Sequence, residues 1–549
     1  MGAGLGLRDP WPADEPRYAL VGREMVETGE WLIPHRAGEP YPDKPPLFFW
    51  MIALAWALPG SLRLSFLLPS LAAGLAVVLL IHDLARRLWH RRVAWLAGLA
   101  ALSTVQLVLQ ARTAQIDMVL TLLTTLALYG LLRHLLLGPA WGWWYLAWAA
   151  VGAGVLTKGV GFLPLLVLVP YAIARARRWP GLPRFRFPAL HLLLGALVFL
   201  AVAGAWLAPV LLRVATSGDP ALATYRDNLL FKQTGERYLA AWHHLRWPGY
   251  YLFQVAPWAW LPLTLALPWL LPAWWRRLRR REARTFLLVG WVVLVLAFFT
   301  LSPGKRGVYL TPAAPAFVLA CAPLLPGLLR RRAPRRLALA AVGLLSGALA
   351  AVAAWAWLAP PALIAAFVAR NDLASAVAFA TPVAALALTG AALAMAMRRN
   401  GVLALFSVLI AAWLVAGWWL FPAANPARSA APFMRRVGER IGPGAELALA
   451  GWKEQFVLHA DRPVVTFGYG REDFATESQE AARWVLAGPN RHVLSSAEAL
   501  SACFDRERCI ALGQRHRRDW FLAPAAAVRE ECRRAIVPLA PQGAADGVR

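Results

Sequence analysis

The sequence predicts a polytopic α-helical membrane protein that ends in a small α/β domain outside the bilayer. Three observations carry this. Apolar runs recur from Leu62 to Leu420, several reaching the roughly 20 residues that cross a hydrocarbon core. Charged residues make up only 16% of the 549, where a soluble chain has about a quarter. From Pro422 onward the texture changes to short mixed segments. A single large soluble enzyme and a disordered chain are both excluded. The 57 Lys and Arg against 30 Asp and Glu leave a formal charge of +27. That excess invites a nucleic-acid reading, but its placement argues otherwise.

Spans are expected near 62–83, 93–110, 118–137, 143–157, 161–175, 188–212, 249–273, 285–301, 308–328, 336–358, 374–397 and 402–421. Gly159 and Gly161 separate the fourth from the fifth, and Lys158 between them favours a turn over one bent helix. Trp gathers at run ends, as at Trp141, Trp143, Trp144, Trp274, Trp275, Trp418 and Trp419, which fits interfacial belts. Residues 45–58 are apolar but short and open on Pro45–Pro46. As a span they would invert every later loop, so they read as an interfacial helix.

The loops alternate in charge. Arg86, Arg87, Arg91 and Arg92 fill the first, Arg175, Arg177, Arg178, Arg184 and Arg186 the fifth, and Arg276, Arg277, Arg279, Arg280, Arg281 and Arg284 the seventh. Odd loops therefore lie in the cytoplasm by the positive-inside rule. The first 60 residues, the even loops and the tail 422–549 lie outside, with 61–421 as the membrane domain. Contact of the Arg runs with anionic lipid accounts for the charge, and no nucleic-acid partner is expected. Residues 1–18 hold Arg8, Asp9, Asp14, Glu15 and Arg17 and no apolar segment, so they are not a signal peptide. Translocating them asks for one further helix before Met1.

In the tail, ELALAGW, QFVLHA and PVVTFGYG read as short strands, and EDFATESQEAARWVLA as a helix. HVLSSAEALSACF reads as a strand and helix. Of Cys503, Cys509 and Cys532, the first two are a candidate disulfide, leaving one thiol free. No Gly-rich dinucleotide fingerprint or Walker motif occurs.

Acids and bases then converge on the outer face from distant loops. The first loop brings Asp14, Glu15, Arg17, Arg23, Glu24, Asp43 and Lys44. Asp117 lies at the outer start of a span, where an acid is a site hypothesis by default. Its bland alternative is a helix cap. Lys158 ends another span, and Lys305 and Arg306 sit in SPGKRGVY. The loop 213–248 adds Arg226, Asp227, Lys232, Glu236, Arg237, His243, His244 and Arg246. A lipid-linked phosphate donor needs cations at its phosphate. An acceptor hydroxyl needs a carboxylate to take or orient its proton. The helix bundle supplies an apolar groove for the lipid.

DEPRYALVGREMVETGEWLIPHRAGEPYPDKPPLFFW, ARTAQIDMVLT, LTKG and SPGKRGVYLTPAAP resemble segments of the bacterial 4-amino-4-deoxy-L-arabinose lipid A transferases. These belong to the polyprenyl- and dolichyl-phosphate-sugar dependent glycosyltransferases of the GT-C fold, protein O-mannosyltransferases included. The resemblance covers roughly 9–320. It implies Asp14 as the catalytic carboxylate of the first loop and Asp117 as a second acid near the site. It implies Lys44 and Lys305 as donor-phosphate lysines, with Tyr309 in the same loop as Lys305. Glu15, Arg17, Arg23 and Lys158 would support substrate or loop. Asp43 stands where the arabinosyl branch has Glu beside a divalent metal.

One segment departs from that branch. Its Glu-His-x-x-Arg-Phe pattern is replaced by NLLFKQTGERYLAAWHHL. Arg237-Tyr238 stands in for Arg-Phe, and His243 or His244 is the candidate metal ligand, with a rim histidine as the alternative. With a helix restored before Met1 the count would be thirteen, as in the arabinosyl branch. The expected activity is sugar transfer from undecaprenyl phosphate-sugar to lipid A or another envelope glycan in the periplasm, by a monomer of the inner membrane. The alternatives are a protein O-glycosyltransferase of the same fold and a polytopic lipid or glycan transporter.

Overall fold

A computed structural model describes residues 1–57, 61–185, 188–230, 245–370, 375–469, 473–516 and 518–536. Among them, nine helices are long and apolar enough to cross a membrane, or up to eleven if each of two bent pairs is one span. The chain is a multi-pass membrane protein. It divides into two compact units. The first comprises Met1–Pro10, Met25–Pro34 and Pro40–Ala427. The second comprises Trp11–Glu24, His35–Glu39 and Arg428–Arg549.

In the first unit the helices fall on the apolar runs, but two runs are broken. Arg91–Ser103 and Val105–Ala111 meet at 65°, and Tyr250–Ala259 and Leu263–Arg279 at 108°. The first break has a local cause. Ser103 Oγ and Thr104 Oγ1 both donate to the Ala100 carbonyl, at 3.0 and 2.8 Å, and Thr104 is extended. Hydroxyls that bond back to the helix compete with its own ladder. The freed amide of Val105 donates to the carbonyl of Leu261 at 3.0 Å, inside the second break. Irregular backbone at membrane depth persists only where protein satisfies it, and here one break helps to satisfy the other.

Ala189–Ser217 shows the opposite environment. Only 11% of its apolar window is buried within the protein, and Leu190, Leu193, Leu200 and Leu212 stand exposed. Such an apolar face suits lipid, not water. The expected Trp belt holds in part. Trp275, Trp418 and Trp419 are exposed. Trp144 and Trp274 are instead core residues, their Nε1 groups donating to the carbonyls of His191 and Ala320 at 2.9 and 3.0 Å.

Leu47–Ala57 is a helix of 11 residues, about 16 Å long and too short to cross. Phe48, Phe49 and Ile52 are fully buried, so much of its apolar side faces protein. The turn after Trp141–Val155 depends on glycine. A Cβ on Gly161 would lie 2.1 Å from the backbone carbon of Gly154. Two backbones in such contact admit no side chain, and this close approach frames Lys158.

The second unit holds a five-stranded sheet. Its strands are β1 (Glu446–Ala450), β2 (Val464–Thr466), β3 (Arg491–Ser496), β4 (Ile510–Arg515) and β5 (Arg518–Pro524). The order is β2-β1-β3-β5-β4, with β2, β1 and β3 parallel and the last two pairings antiparallel. Strand side chains alternate faces, and both faces are covered. Leu447, Leu449, Trp520 and Leu522 join one core with Phe433, Met434 and Phe456. Ala448, Ala450, Phe521 and Ala523 join another with Ala481, Ala482 and Val485 of helix Phe474–Leu486.

Two tail expectations are corrected. QFVLHA lies in a helix, Glu454–His459, not a strand. A six-residue apolar run cannot distinguish the two by periodicity, and packing of Phe456 against Phe433 and Trp520, at ring distances of 5.0 and 4.6 Å, selects the helix. The disulfide joins Cys503 to Cys532, not to Cys509. The Arg529 amide donates to the Cys503 carbonyl at 2.9 Å, which brings helix Glu530–Ile536 and its Cys532 alongside. Burial and the Asp505 charge push the free Cys509 thiol up to about 11. Cys503→Ser is expected to destabilise the tail by about 3–4 kcal/mol through the lost loop constraint, whereas Cys509→Ser leaves it within about 0.5 kcal/mol. Denaturant unfolding of the full chain with tail tryptophan fluorescence checks this.

Candidate functional site

In the first unit, residues from three distant stretches meet. Asp117 lies in the first turn of helix Ile116–Leu137, where the positive end of the helix dipole favours a carboxylate. Its Oδ1 accepts a hydrogen bond from Lys158 Nζ at 2.8 Å, with the two side chains 11% and 15% exposed. The Lys158 amide donates to Gly154 at 2.8 Å, so the glycine turn holds the lysine in place. The same ammonium lies 4.1 Å from the ring centroid of Tyr309, within cation–π range. Asp117, Lys158 and Tyr309 are thus brought together. The lysine balances the carboxylate and keeps N–H donors beyond that one bond.

Two neighbouring turns are tied to this cluster. The Leu47 amide donates to the Leu156 carbonyl at 3.2 Å, anchoring the Asp43–Lys44–Pro45–Pro46 turn two residues from Lys158. Lys44 Nζ donates to the Asp43 carbonyl at 2.8 Å. On the other side, Gln106 Nε2 donates to the Gly307 carbonyl at 2.8 Å, bracing the loop that carries Lys305 and Tyr309. Lys305 itself is buried, 4% exposed. Its ammonium donates to the carbonyls of Ser302 and Arg246 at 2.5 and 3.2 Å, and burial lowers its pKa from the ordinary lysine value. It therefore staples two loops together.

Asp14 belongs to the second unit. It begins helix Asp14–Thr28, whose entry is set by Glu15, accepting the Trp11 amide at 2.8 Å. Arg17, one turn on, lies 3.7 Å from Asp14 and 3.0 Å from Glu454. The other Glu454 oxygen takes Arg36 at 3.0 Å, whose guanidinium sits over the rings of Trp452 and Tyr469 at 5.2 and 4.5 Å. Arg23 donates to the Leu458 carbonyl at 3.2 Å, and Glu24 accepts the amides of Ala37 and Gly38 at 2.7 and 3.3 Å.

Burial pushes the Glu454 carboxyl up, but Arg36 and then Arg17 prevail and hold it below its ordinary 4.5. A lowered carboxylate contributes stability that is complete above the unfolded value and lost as pH falls through the folded one. The second unit is therefore expected to keep this contribution at pH 5 and to lose it on acidification below about pH 4. Tryptophan fluorescence during acid titration, compared between the native chain and Glu454→Gln, checks the sign.

Arg237, His243 and His244 lie outside the described residues. Among the described residues, no group of three or more His, Cys, Asp or Glu converges as a metal site.

Three contributors escaped the sequence reading. Gln106 carried a signal, being an amide inside an apolar run. Arg36 and Glu454 carried none, since each looks like a solvated loop charge until the fold pairs them.

Residues 43–206 match the family model described as dolichyl-phosphate-mannose-protein mannosyltransferase. The undecaprenyl phosphate-alpha-4-amino-4-deoxy-L-arabinose arabinosyl transferase of Aeromonas hydrophila is 32% identical over 325 residues, 58% of this chain and 56% of that protein. Its counterpart from Pseudomonas aeruginosa PAO1 is 34% identical over 319 residues, 55% of this chain and 53% of that protein. The chain spans just over half the length of these curated relatives. Crystal structures of ArnT from Cupriavidus metallidurans superpose with TM-scores of 0.73 in the apo state and 0.71 bound to undecaprenyl phosphate. They are 22% and 23% identical, and 96% of each chain is covered. The chain resembles the ArnT-like polyprenyl-phosphate sugar transferases and has their GT-C architecture.

Proposed function

We propose that the protein transfers a sugar from a polyprenyl phosphate-linked donor to an acceptor on the periplasmic face of the inner membrane. The observation that carries this is the buried Asp117–Lys158 pair against Tyr309, set in a fold shared with a protein solved with undecaprenyl phosphate bound. A fixed cation at the end of an apolar helix suits a lipid phosphate, whose charge grows as the sugar leaves.

In the proposed reaction, Asp14 takes the proton of the acceptor hydroxyl. The acceptor oxygen bonds to the anomeric carbon, and the bond from that carbon to the phosphate oxygen breaks. The departing polyprenyl phosphate keeps the electron pair. Lys44 and Lys158 stabilise its charge, and Arg237 is assigned the same task. Lys305 acts by holding the loop that presents Tyr309. Asp117 sets the position and charge of Lys158.

The relatives' names favour 4-amino-4-deoxy-L-arabinose as sugar and lipid A as acceptor. The matched family model favours a protein acceptor instead. Mass spectrometry of lipid A, other envelope glycans and envelope proteins, from a deletion strain and its complemented parent, separates the two. A sugar mass lost from lipid A supports the first and one lost from protein the second. Identical glycolipids, glycans and glycoproteins in both strains overturn the transferase reading.

A further inference from the structure

We propose that Glu454, in the C-terminal tail, is a positioning residue for the carboxylate of Asp14, acting through Arg17. The inference rests on the assignment of Asp14 as the proton acceptor and extends the reaction machinery into the tail.

Asp14 and Arg17 lie three residues apart on one helix, so their side chains share a face. At 3.7 Å, Arg17 is close enough to hold the carboxylate, but an arginine has many rotamers and needs its own anchor. Glu454 supplies an anchor, at 3.0 Å from Arg17 Nε and only 8% exposed in its side chain. Its second oxygen takes Arg36, so both of its oxygens are held by guanidinium groups. Arg36 is fixed in turn by the faces of Trp452 and Tyr469. The chain of contacts therefore runs from a rigid aromatic pocket through Arg36, Glu454 and Arg17 to Asp14. Arg23, bonded to the Leu458 carbonyl at the end of the helix that Glu454 begins, holds the two helices in register. A carboxylate that must meet a hydroxyl in line with a scissile bond tolerates little displacement, and an error of about 1 Å costs on the order of a hundredfold in rate.

The test uses the full-length protein, in the complemented strain at matched expression. Product formation is read by the mass shift defined above, and binding of undecaprenyl phosphate is measured on purified protein. Glu454→Gln is expected to lower product formation roughly a hundredfold while undecaprenyl phosphate binding stays within about twofold, as expected where substrate binding is untouched. Glu454→Asp recovers most of the rate. Arg17→Gln reproduces the loss, and the double variant is no slower than either alone, because both break one link. Arg36→Gln, which frees one Glu454 oxygen and leaves the Arg17 contact in place, lowers the rate by a smaller factor than Glu454→Gln.

Wild-type product formation by either Glu454→Gln or Arg17→Gln overturns the proposal. So does recovery of the rate in the pair Glu454→Gln with Arg36→Gln, since Glu454 would then merely balance a buried charge. Where Glu454→Gln does not fold, Arg17→Gln with Glu454→Asp decides. Asp14→Asn separates the two readings. If it is active, the assignment of Asp14 fails and this proposal with it. If it is inactive while Glu454→Gln is normal, only the positioning role fails.

Discussion

Replacing Asp14 by Asn is expected to lower sugar transfer by about 10²–10⁴-fold and to leave undecaprenyl phosphate binding within about twofold. The amide copies the shape of the carboxylate but cannot take the acceptor proton. The helix start does not depend on Asp14 alone, because Glu15 holds the Trp11 amide. The variant is therefore expected to keep its fold and to lose the proposed base. Binding survives because the cations assigned to the phosphate, Lys44 and Lys158, come from other stretches of chain. Product formation in the complemented strain, beside binding by purified protein, reads both halves. A rate within about threefold of wild type removes Asp14 from the reaction.

Breaking the Asp117–Lys158 pair is expected to act differently, costing stability as well as rate. Asp117→Ala leaves a lysine ammonium at a site where its side chain is 15% exposed, facing the Tyr309 ring without its counter-charge. Removing one partner of a buried pair typically costs about 3–5 kcal/mol. Lys158→Met strands the carboxylate in the same way. The double variant, Asp117→Asn with Lys158→Met, removes both charges and is expected to regain most of that stability. Its transfer stays at least about a hundredfold down, since the cation assigned to the phosphate is gone. Thermal unfolding in detergent, with the transfer assay, checks the two outcomes. A single variant that melts like wild type shows that the pair contributes nothing to the fold. A double variant with normal transfer removes Lys158 from the site.

The membrane half was legible in the sequence because lipid imposes one rule, an apolar run long enough to cross. Among the described residues nine helices between Leu62 and Arg428 obey it, or up to eleven with the bent pairs, whereas the expected span 143–157 falls on a helix of only 15 residues, Trp141–Val155. The breaks at Thr104 and Leu261 were not legible. Each lies within an apolar run, and each is satisfied by the other across more than 150 residues, through the bond from Val105 to Leu261. In the tail, helix Phe474–Leu486 announced itself by its period, and the N-cap Asp473 confirms it. QFVLHA did not, because one apolar turn and one short strand look alike. Asp117 was legible as an acid at a span end. Its partner was legible only as a lysine near glycines. Glu454 was invisible, since its meaning depends on Arg17, 437 positions earlier.

That separation bears on the order of synthesis. Segments Trp11–Glu24 and His35–Glu39 pack with Arg428–Arg549 as one unit, so the helix bearing Asp14 cannot reach its final setting until the tail has emerged. At about 5–20 residues per second, Glu454 follows Arg17 by roughly 20–90 s. During that interval every membrane helix is already made, while the proposed base lacks its anchor. On the proposed reading, a chain stalled or cut before the tail is expected to be inserted but inactive. On the proposed reading, the tail is thus the last piece needed to set the helix that carries Asp14.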